Sequence, residues 1–565
     1  MDYYNGYKVG LSMSRINKLI ILTALLLSIL LFLPFISNVM SYEHDTFFHL
    51  SRIEGLGTAI KNLDFLPKIY PYKNMNFGYG SPMFYSDFFL LIPAIIYNIT
   101  NSIVIAYKFM IFVLLFLTAL FMGITTHKLT NNKYIIILSM ALYSNATYHI
   151  TDIYVRSAVG ELFGYCLLPL VILAIYKILY EEDKFYLLTI VISSLILSHN
   201  LSFILACILT FSIIVMNYKQ ISLNVLKQLI ISVMAVIGIT AFFTFPMLEQ
   251  FVYLDLFCEY SSPDLFINST LKSFQFLMTR TNFYVFTNDF DSMVVNTGLL
   301  ILLLPFSKIF IIEKTKKTQD IFINKLMILG YISLIIQSSL INYENISIFY
   351  SFQFVWRFML LTCVLLSIPA AYYSINLFKS HQTISFTTIM VISISISCFL
   401  LYPVFDRSNL IETNTKYEEL IDGSIIDPYY SAFYVRVELA GADYLPIKTI
   451  DYQNYDYQIK DDTGNIITDD INIDYNTLSF NINNPNTTII LPKTYYKGYQ
   501  VYNNNTKLTT YSDPSTSLVA FNTANTKGDY ILKYDGTLIQ KGSLIVSLLS
   551  IALFINFKRK SSVKQ

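Results

Sequence analysis

The sequence predicts a polytopic α-helical membrane protein with a small β-rich domain near its C-terminal end. Three observations carry that expectation. Hydrophobic residues make up 54% of the 565, charged residues only 14%, and the mean hydropathy is +0.51. A soluble globular chain carries about 25% charged residues, so this one lacks the polar surface to coat itself in water. Apolar runs of about 20 residues recur, the length needed to cross roughly 30 Å of hydrocarbon. From Asp406 to Lys541 those runs stop, and Asn, Asp, Thr and Tyr take over. An ordinary soluble enzyme, a disordered chain and a collagenous one are excluded. Thirty-nine Lys and Arg against 38 Asp and Glu give a net charge of +1, so no basic field marks nucleic acid as a partner. The five cysteines form no CxxC pair and imply neither a disulfide framework nor a zinc site.

The first span is Leu19–Met40, behind a flank with Lys8, Arg15 and Lys18. It is too long for a signal peptide and lacks a small-residue cleavage site, so it reads as a retained anchor. Further runs are 103–126, 133–148, 161–179, 185–198, 201–217, 225–247, 294–312, 322–341, 349–375, 385–402 and 543–557, making about twelve spans. Loop charge sets their sides, because Lys and Arg stay cytoplasmic. The N-terminal flank, the loop with Lys308, Lys314, Lys316, Lys317 and Lys325, and the tail Lys558-Arg559-Lys560 are placed inside. Parity then puts 41–102, 154–161, 249–292, 342–348 and 405–541 outside. Phe88–Ile99 is short and holds Pro93, which suits an interfacial helix. The expected division is a transmembrane domain over 1–404, including the large first external loop 41–102. An extracellular β-rich domain follows over 405–541, then a last helix and basic tail over 542–565. Its strands are expected at Tyr455–Lys460, Thr487–Leu491, Leu518–Phe521 and Asp529–Tyr534, separated by turn sequences such as Asp462-Thr463-Gly464-Asn465 and Asp535-Gly536.

The densest polar cluster is Glu43-His44-Asp45-Thr46-Phe47-Phe48-His49-Leu50-Ser51-Arg52, at the outer end of the first span. In a helix Asp45, His49 and Arg52 share one face. A carboxylate there can accept a proton from an attacking hydroxyl, and Arg offers a planar fork for phosphate oxygens. The plainer alternative is a polar collar with an internal Asp–Arg pair. The same side receives Asp152, Tyr154, Arg156 and Glu161, then His199-Asn200, then Gln353 to Arg357 with the single Trp356. Ionisable groups at membrane depth are functional candidates. For His199 a helix cap, and for Trp356 an interfacial anchor, are the structural alternatives. The glycine-rich stretch Asn76–Asp87 lacks the ending of a P-loop, so nucleotide binding is rejected. It could shape a sugar or lipid groove, or be a tight turn.

In order, His44-Asp45-x-x-x-His49-x-x-Arg52-Ile53, Gly78-Tyr79-Gly80-Ser81-Pro82-x-Phe84-Tyr85, Tyr154-x-Arg156-x-Ala158-x-Gly160-Glu161, Ser198-His199-Asn200, Gln353-Phe354-x-Trp356-Arg357 and Tyr495-Tyr496-Lys497-Gly498-Tyr499 span nearly the whole chain. The set resembles the bacterial membrane proteins labelled 6-pyruvoyl-tetrahydropterin-synthase-related, which are YfhO-like and similar to GT-C glycosyltransferases. Val355 departs from the proline expected before Trp-Arg. The resemblance implies a GT-C-like fold and a membrane glycosyltransferase. It would move a sugar from an undecaprenyl-phosphate-linked donor to a cell-envelope glycopolymer on the outer face of the cell membrane. It also implies Asp45 as catalytic base. Arg156 and Arg357 are the candidates for the donor phosphate, and His44, His49, Arg52, Tyr85, Glu161 and His199 complete the substrate-binding set. A divalent metal on Asp45 and the histidines is allowed, although no spacing argues for it. The competing class is a non-enzymatic transporter of lipid-linked sugars or an assembly protein for surface polysaccharide. Neither internal repeats nor midplane charges of a transporter are seen.

Overall fold

The computed structural model describes residues 15–181, 184–260, 295–311, 317–344, 346–407, 410–421, 443–449 and, with short interruptions, 457–563, together with Ile267 and Ser269. Most of the expected 249–292 loop lies outside the described residues. Among the described residues eight helices are long and apolar enough to cross a membrane: Arg15–Phe35, Ile103–Leu129, Val159–Glu181, Leu223–Tyr253, Thr318–Ile336, Val355–Leu377, Lys379–Phe405 and Leu538–Lys560. They make the chain a multi-pass membrane protein. Four other expected spans correspond to shorter apolar helices, Lys133–Ser144, Tyr186–Ile196, Asn200–Met216 and Leu299–Phe310. At 1.5 Å per residue an 11-residue helix reaches only about 17 Å, roughly half the hydrocarbon thickness.

Burial orders the bundle. The most apolar stretch of Val355–Leu377 is 94% buried and that of Leu538–Lys560 only 17%, so the first is the central helix and the second lies at the rim. Val355–Leu377 and Val159–Glu181 share one core with Lys133–Ser144, Tyr186–Ile196 and Thr318–Ile336. Leucine, isoleucine and valine fill it, with small residues where helices approach closely. Gly330 faces Leu366 directly, and a Cβ there would meet that side chain at 2.5 Å.

The 41–102 segment folds back over one end of the bundle. Its helix Thr46–Lys61 starts where Thr46 Oγ1 accepts from Glu43 N–H (2.9 Å), and it packs against the helix Leu91–Thr100. That second helix is only ten residues long and turns Ile92, Ile95 and Ile99 outward. Between them Tyr70 and Tyr79 form an isolated bridge. Lys73 is buried against Glu54 (2.5 Å) and the Tyr417 hydroxyl (2.8 Å).

The strands, in chain order, are β1 Val39–Ser41, β2 Leu410–Glu412, β3 Ile459–Asp461, β4 Ile466–Thr468, β5 Ile471–Asp474, β6 Thr477–Ile482, β7 Thr488–Thr494, β8 Tyr499–Asn503, β9 Thr506–Leu508, β10 Thr510–Ser512, β11 Leu518–Asn522 and β12 Gly528–Tyr534. β1 pairs antiparallel with β2, Met40 opposite Ile411, so the chain leaving Lys379–Phe405 is stitched to the start of the 41–102 segment. The rest form two five-stranded antiparallel sheets, ordered β10-β11-β7-β3-β4 and β5-β6-β12-β8-β9. Ile459, Phe480, Leu491, Val501, Phe521 and Tyr530 fill the core between them, and Ile69, Met83 and Phe84 of the 41–102 segment enter the same cluster.

The β domain is therefore docked on the 41–102 segment. Thr494 N–H donates to Phe77 O (2.7 Å) and Lys493 Nζ to Pro71 O (2.8 Å). Phe77 covers the outer face of β7 beside Ile490, which is why β7 is buried almost throughout instead of alternating. Lys497 of the late Tyr-Tyr-Lys-Gly-Tyr motif pairs with Glu249 (3.3 Å) and lies over the Tyr253 ring (3.3 Å). That motif anchors the domain to the helix Leu223–Tyr253. Gly80 lies under the Tyr496 ring, where a Cβ would come within 2.6 Å. Gly80→Val should therefore lift β7 and the loop after it from the 70–85 region. Hydrogen exchange should rise at both 70–85 and 490–500; unchanged protection at both would contradict this docking.

Candidate active site

Three stretches that are distant in sequence meet beside the start of the helix Thr46–Lys61. Asp152–Arg156 forms a π-helical turn, a geometry common at functional sites. It closes on Ser157, whose φ of +51° is left-handed and strained for a residue with a side chain. Thr46 Oγ1 donates to Ser157 Oγ (2.8 Å) and holds that turn. Asp45 N–H donates to Arg156 O (3.0 Å), so the two polar clusters are joined through backbone. Gln353, at φ +60°, makes the third bend.

Glu161 is the hub. Its Oε1 accepts from Arg156 Nη2 (2.7 Å) and Arg357 Nε (3.1 Å), and its Oε2 from the Tyr148 hydroxyl (2.5 Å). Arg156 Nη1 also donates to Asp152 Oδ1 (2.8 Å) and to Tyr148 (3.2 Å). Arg357 Nη1 donates to Phe352 O (2.7 Å) and Gln353 Oε1 (3.0 Å). All of Tyr148, Asp152, Arg156, Glu161 and Arg357 are buried. Burial pushes the Asp152 carboxyl well above the usual range, and nearby Glu161 adds to this against the pull of Arg156.

Asp45 differs from Glu43, Asp87, Asp152 and Glu161, each of which is held by an arginine. It caps the helix by position, yet its carboxylate makes no capping bond and has no hydrogen-bond partner among the described residues. It is half-buried. Burial raises its pKa to about 6; Arg156 and Arg357 oppose that rise, while Glu161 and Asp443 add to it. A group of this kind can hold or release a proton near neutral pH. His44 stands beside it, its pKa lowered to about 4 by burial and by Arg156 and Arg407, so it is neutral.

The internal Asp45–Arg52 pair considered from the sequence is not formed. Arg52 Nε donates to Asp87 Oδ1 (2.7 Å) instead, with Nη2 on Ser86 O (2.9 Å), and Asp87 also accepts from Tyr70 (2.5 Å). The guanidinium stacks 3.8 Å over the Tyr85 ring and lies 3.4 Å from His49 Nδ1. Burial and Arg52 lower the pKa of His49, leaving it neutral. His199 caps the helix Asn200–Met216: its Nδ1 accepts from Ser202 N–H (3.3 Å) and lies 2.8 Å from the Ser202 hydroxyl. Its ring lies 5.7 Å from that of Tyr85, and Gly160 fits between them because a Cβ would strike both. Trp356 stacks on Phe354 at 4.3 Å. Among the described residues no three His, Cys, Asp or Glu side chains are grouped to hold a metal ion, so the allowed set of Asp45 and the histidines does not converge.

All the candidate residues from the sequence are thus linked by contact or through-space charge. Asp152 and Gln353, named from the sequence without a role, join the same network, and two further residues belong with them: Tyr148 and Asp87. Tyr148, Asp152 and Arg156 stand at i, i+4 and i+8, a helical spacing that could have found Tyr148. Asp87 closes the glycine-rich stretch and gave no signal of pairing with Arg52.

Comparison with known proteins adds little to this geometry. No protein-family model matches the chain, and no curated protein matches it. Among solved structures it is similar to the arabinofuranosyltransferase AftD from Mycobacteria, determined by single-particle cryo-EM, at 12% identity and a TM-score of 0.46. The match covers 73% of this chain and 29% of that one, so this chain spans less than a third of its length.

The hub and the acid should respond oppositely to loss of charge. Glu161→Gln leaves buried Arg357 without its ion-pair partner and Arg156 with Asp152 alone, and removing one partner of a buried pair costs about 3–5 kcal/mol. Asp45→Asn removes a desolvated carboxylate whose folded pKa lies above its unfolded one, so above pH 6 it should leave the melting temperature equal or raised. Thermal unfolding in detergent at pH 7.5 checks both. A large loss for Asp45→Asn would make that residue structural.

Proposed function

We propose that the protein is a GT-C-like glycosyltransferase that takes a sugar from a polyprenyl-phosphate donor, with Asp45 as catalytic base. One observation carries the reading: a half-buried carboxylate without a hydrogen-bond partner among the described residues, at a pKa of about 6, beside Asp152 and Glu161, which are both paired. An inverting displacement needs a base for the acceptor hydroxyl and positive charge for the departing phosphate. Asp45 supplies the first. Arg156 and Arg357 supply the second, held in place by Glu161. Arg357 Nη2 has no partner among the described residues and is the nitrogen best placed to meet a phosphate oxygen. His199 lies beside Tyr85, which forms the floor beneath Arg52.

In this reading the site faces the outside of the cell membrane and both termini are cytoplasmic. The acceptor is a cell-envelope glycopolymer, and the domain over 405–541 covers the site. The transporter or assembly-protein alternative uses the same cationic groups but needs no proton acceptor at Asp45.

Asp45→Asn is nearly isosteric, and general-base catalysis contributes about 10²–10⁴-fold. Sugar transfer from labelled undecaprenyl-phosphate-sugar in membranes should fall by that factor while donor binding is kept. In the wild type, turnover should fall as pH drops through about 6, because protonated Asp45 cannot accept a proton. Near-wild-type surface glycosylation in cells carrying only the Asn variant would return the protein to the binding class.

A further inference from the structure

A second feature lies on the far side of the Arg52–Asp87 pair. A shallow cleft opens between the 65–68 turn, the start of the helix Leu91–Thr100 and the helix Leu223–Tyr253. Its walls are apolar, with Leu56, Phe65, Leu66, Phe88, Phe242 and Phe243 among them. Its polar side chains are Lys68, Ser86 and Asp87. Asp87 is already held by Arg52 and Tyr70, so the inner end of the cleft is the ion pair that also backs Tyr85 and His49.

Lys68 has no such partner. Its Nζ donates to the carbonyl of Phe242 (3.0 Å) and sits 5.8 Å from that ring. The nearby carboxylate, Asp64, acts on it only through space, without an ion pair. Burial lowers the Lys68 pKa to about 8, so it is still mostly charged at neutral pH. An ammonium in an apolar cleft without an ion-pair contact is satisfied by an incoming anion.

The surroundings say where that anion comes from. Leu63, Phe65 and Leu66 are exposed at the mouth, with Phe88 and Ile92 beside them and Phe245 and Leu248 on the neighbouring helix. Exposed apolar residues this dense face lipid or a lipid-like ligand rather than water. A free phosphate would gain nothing from them; a phosphate carried on a long apolar chain would use both features.

We propose that the cleft holds an isoprenoid-phosphate carrier lipid, its chain against Phe65, Leu66 and Phe243 and its phosphate on Lys68. This rests on the lipid-donor reading and adds an entry station to it, one ion pair away from Asp45.

The test is photolabelling of the full chain in nanodiscs with a diazirine-bearing polyprenyl phosphate that carries no sugar, so that no turnover is required. Label should map to 63–68 and 242–248. Lys68→Gln should cut it at least tenfold, Lys68→Arg should keep most of it, and undecaprenyl phosphate should compete. Label mapping elsewhere, or surviving Lys68→Gln, would overturn the assignment. Equal competition by phosphatidylglycerol would make this a general anionic-lipid site, and competition by inorganic phosphate would make it an anion site; either overturns the isoprenoid claim. Loss of label with transfer still dependent on Asp45 removes the cleft alone. Retained label with transfer independent of Asp45 removes the enzyme reading alone.

Discussion

Everything in the polar centre depends on one buried carboxylate. Glu161 lies in the first turn of a helix, and it draws in Arg156 from the preceding π-turn and Arg357 from the far end of the central helix. Burying two guanidiniums in a membrane protein costs several kcal/mol each unless they are paired and hydrogen-bonded. The Glu161 oxygens, Tyr148, Asp152, Gln353 and the Phe352 carbonyl provide that pairing. Because those donors and acceptors come from separate elements, the arginines cannot shift without moving the helices that carry them. The positive charge is fixed in place before any ligand arrives, which is the condition for electrostatic stabilisation of a departing anion.

Asp45 makes sense only against that background. It stands close enough to the arginines to feel their field, yet it is not captured by them, because Glu161, Asp152, Tyr148, Gln353 and the Phe352 carbonyl hold the guanidiniums. Its backbone is held by Arg156 O, and its side chain is left unbound. The 41–102 segment that presents it is itself clamped twice. Arg407 pairs with Glu43 on one flank, and the β sandwich grips Pro71 to Met83 on the other. The sandwich thus acts on the centre through the segment between them.

Much of this was legible in the chain. The eight long helices, the separate short helix Leu91–Thr100 and the gathering of His44, Asp45, Arg156, Glu161, His199 and Arg357 follow from hydropathy and from where charge interrupts it. What was not legible has physical reasons. Four runs give helices of 10–17 residues, because the core accepts short helices that composition cannot distinguish from spans. β5 and β6 carry Asn, Asp, Ser and Thr on an outward face, so they show no apolar run. The partner of Arg52 was chosen by tertiary packing: Asp87 is 35 residues away, whereas Asp45 lies on the same helix and looked the simpler match. The role of the Tyr495–Tyr499 motif was also hidden, since only the docked domain shows Lys497 against Glu249.

The central claim is that Asp45 is an unbound, desolvated carboxylate poised near neutrality. Difference infrared spectroscopy reads it directly: spectra of the protein with ¹³C-labelled aspartate, wild type minus Asp45→Asn, followed across pH 4–8. A carboxyl band that titrates with a midpoint near 6 is the expected result. A midpoint at or below the ordinary aspartate value near 4 would mean the side chain is solvated or paired, and Asp45 would lose its place at the centre of this account.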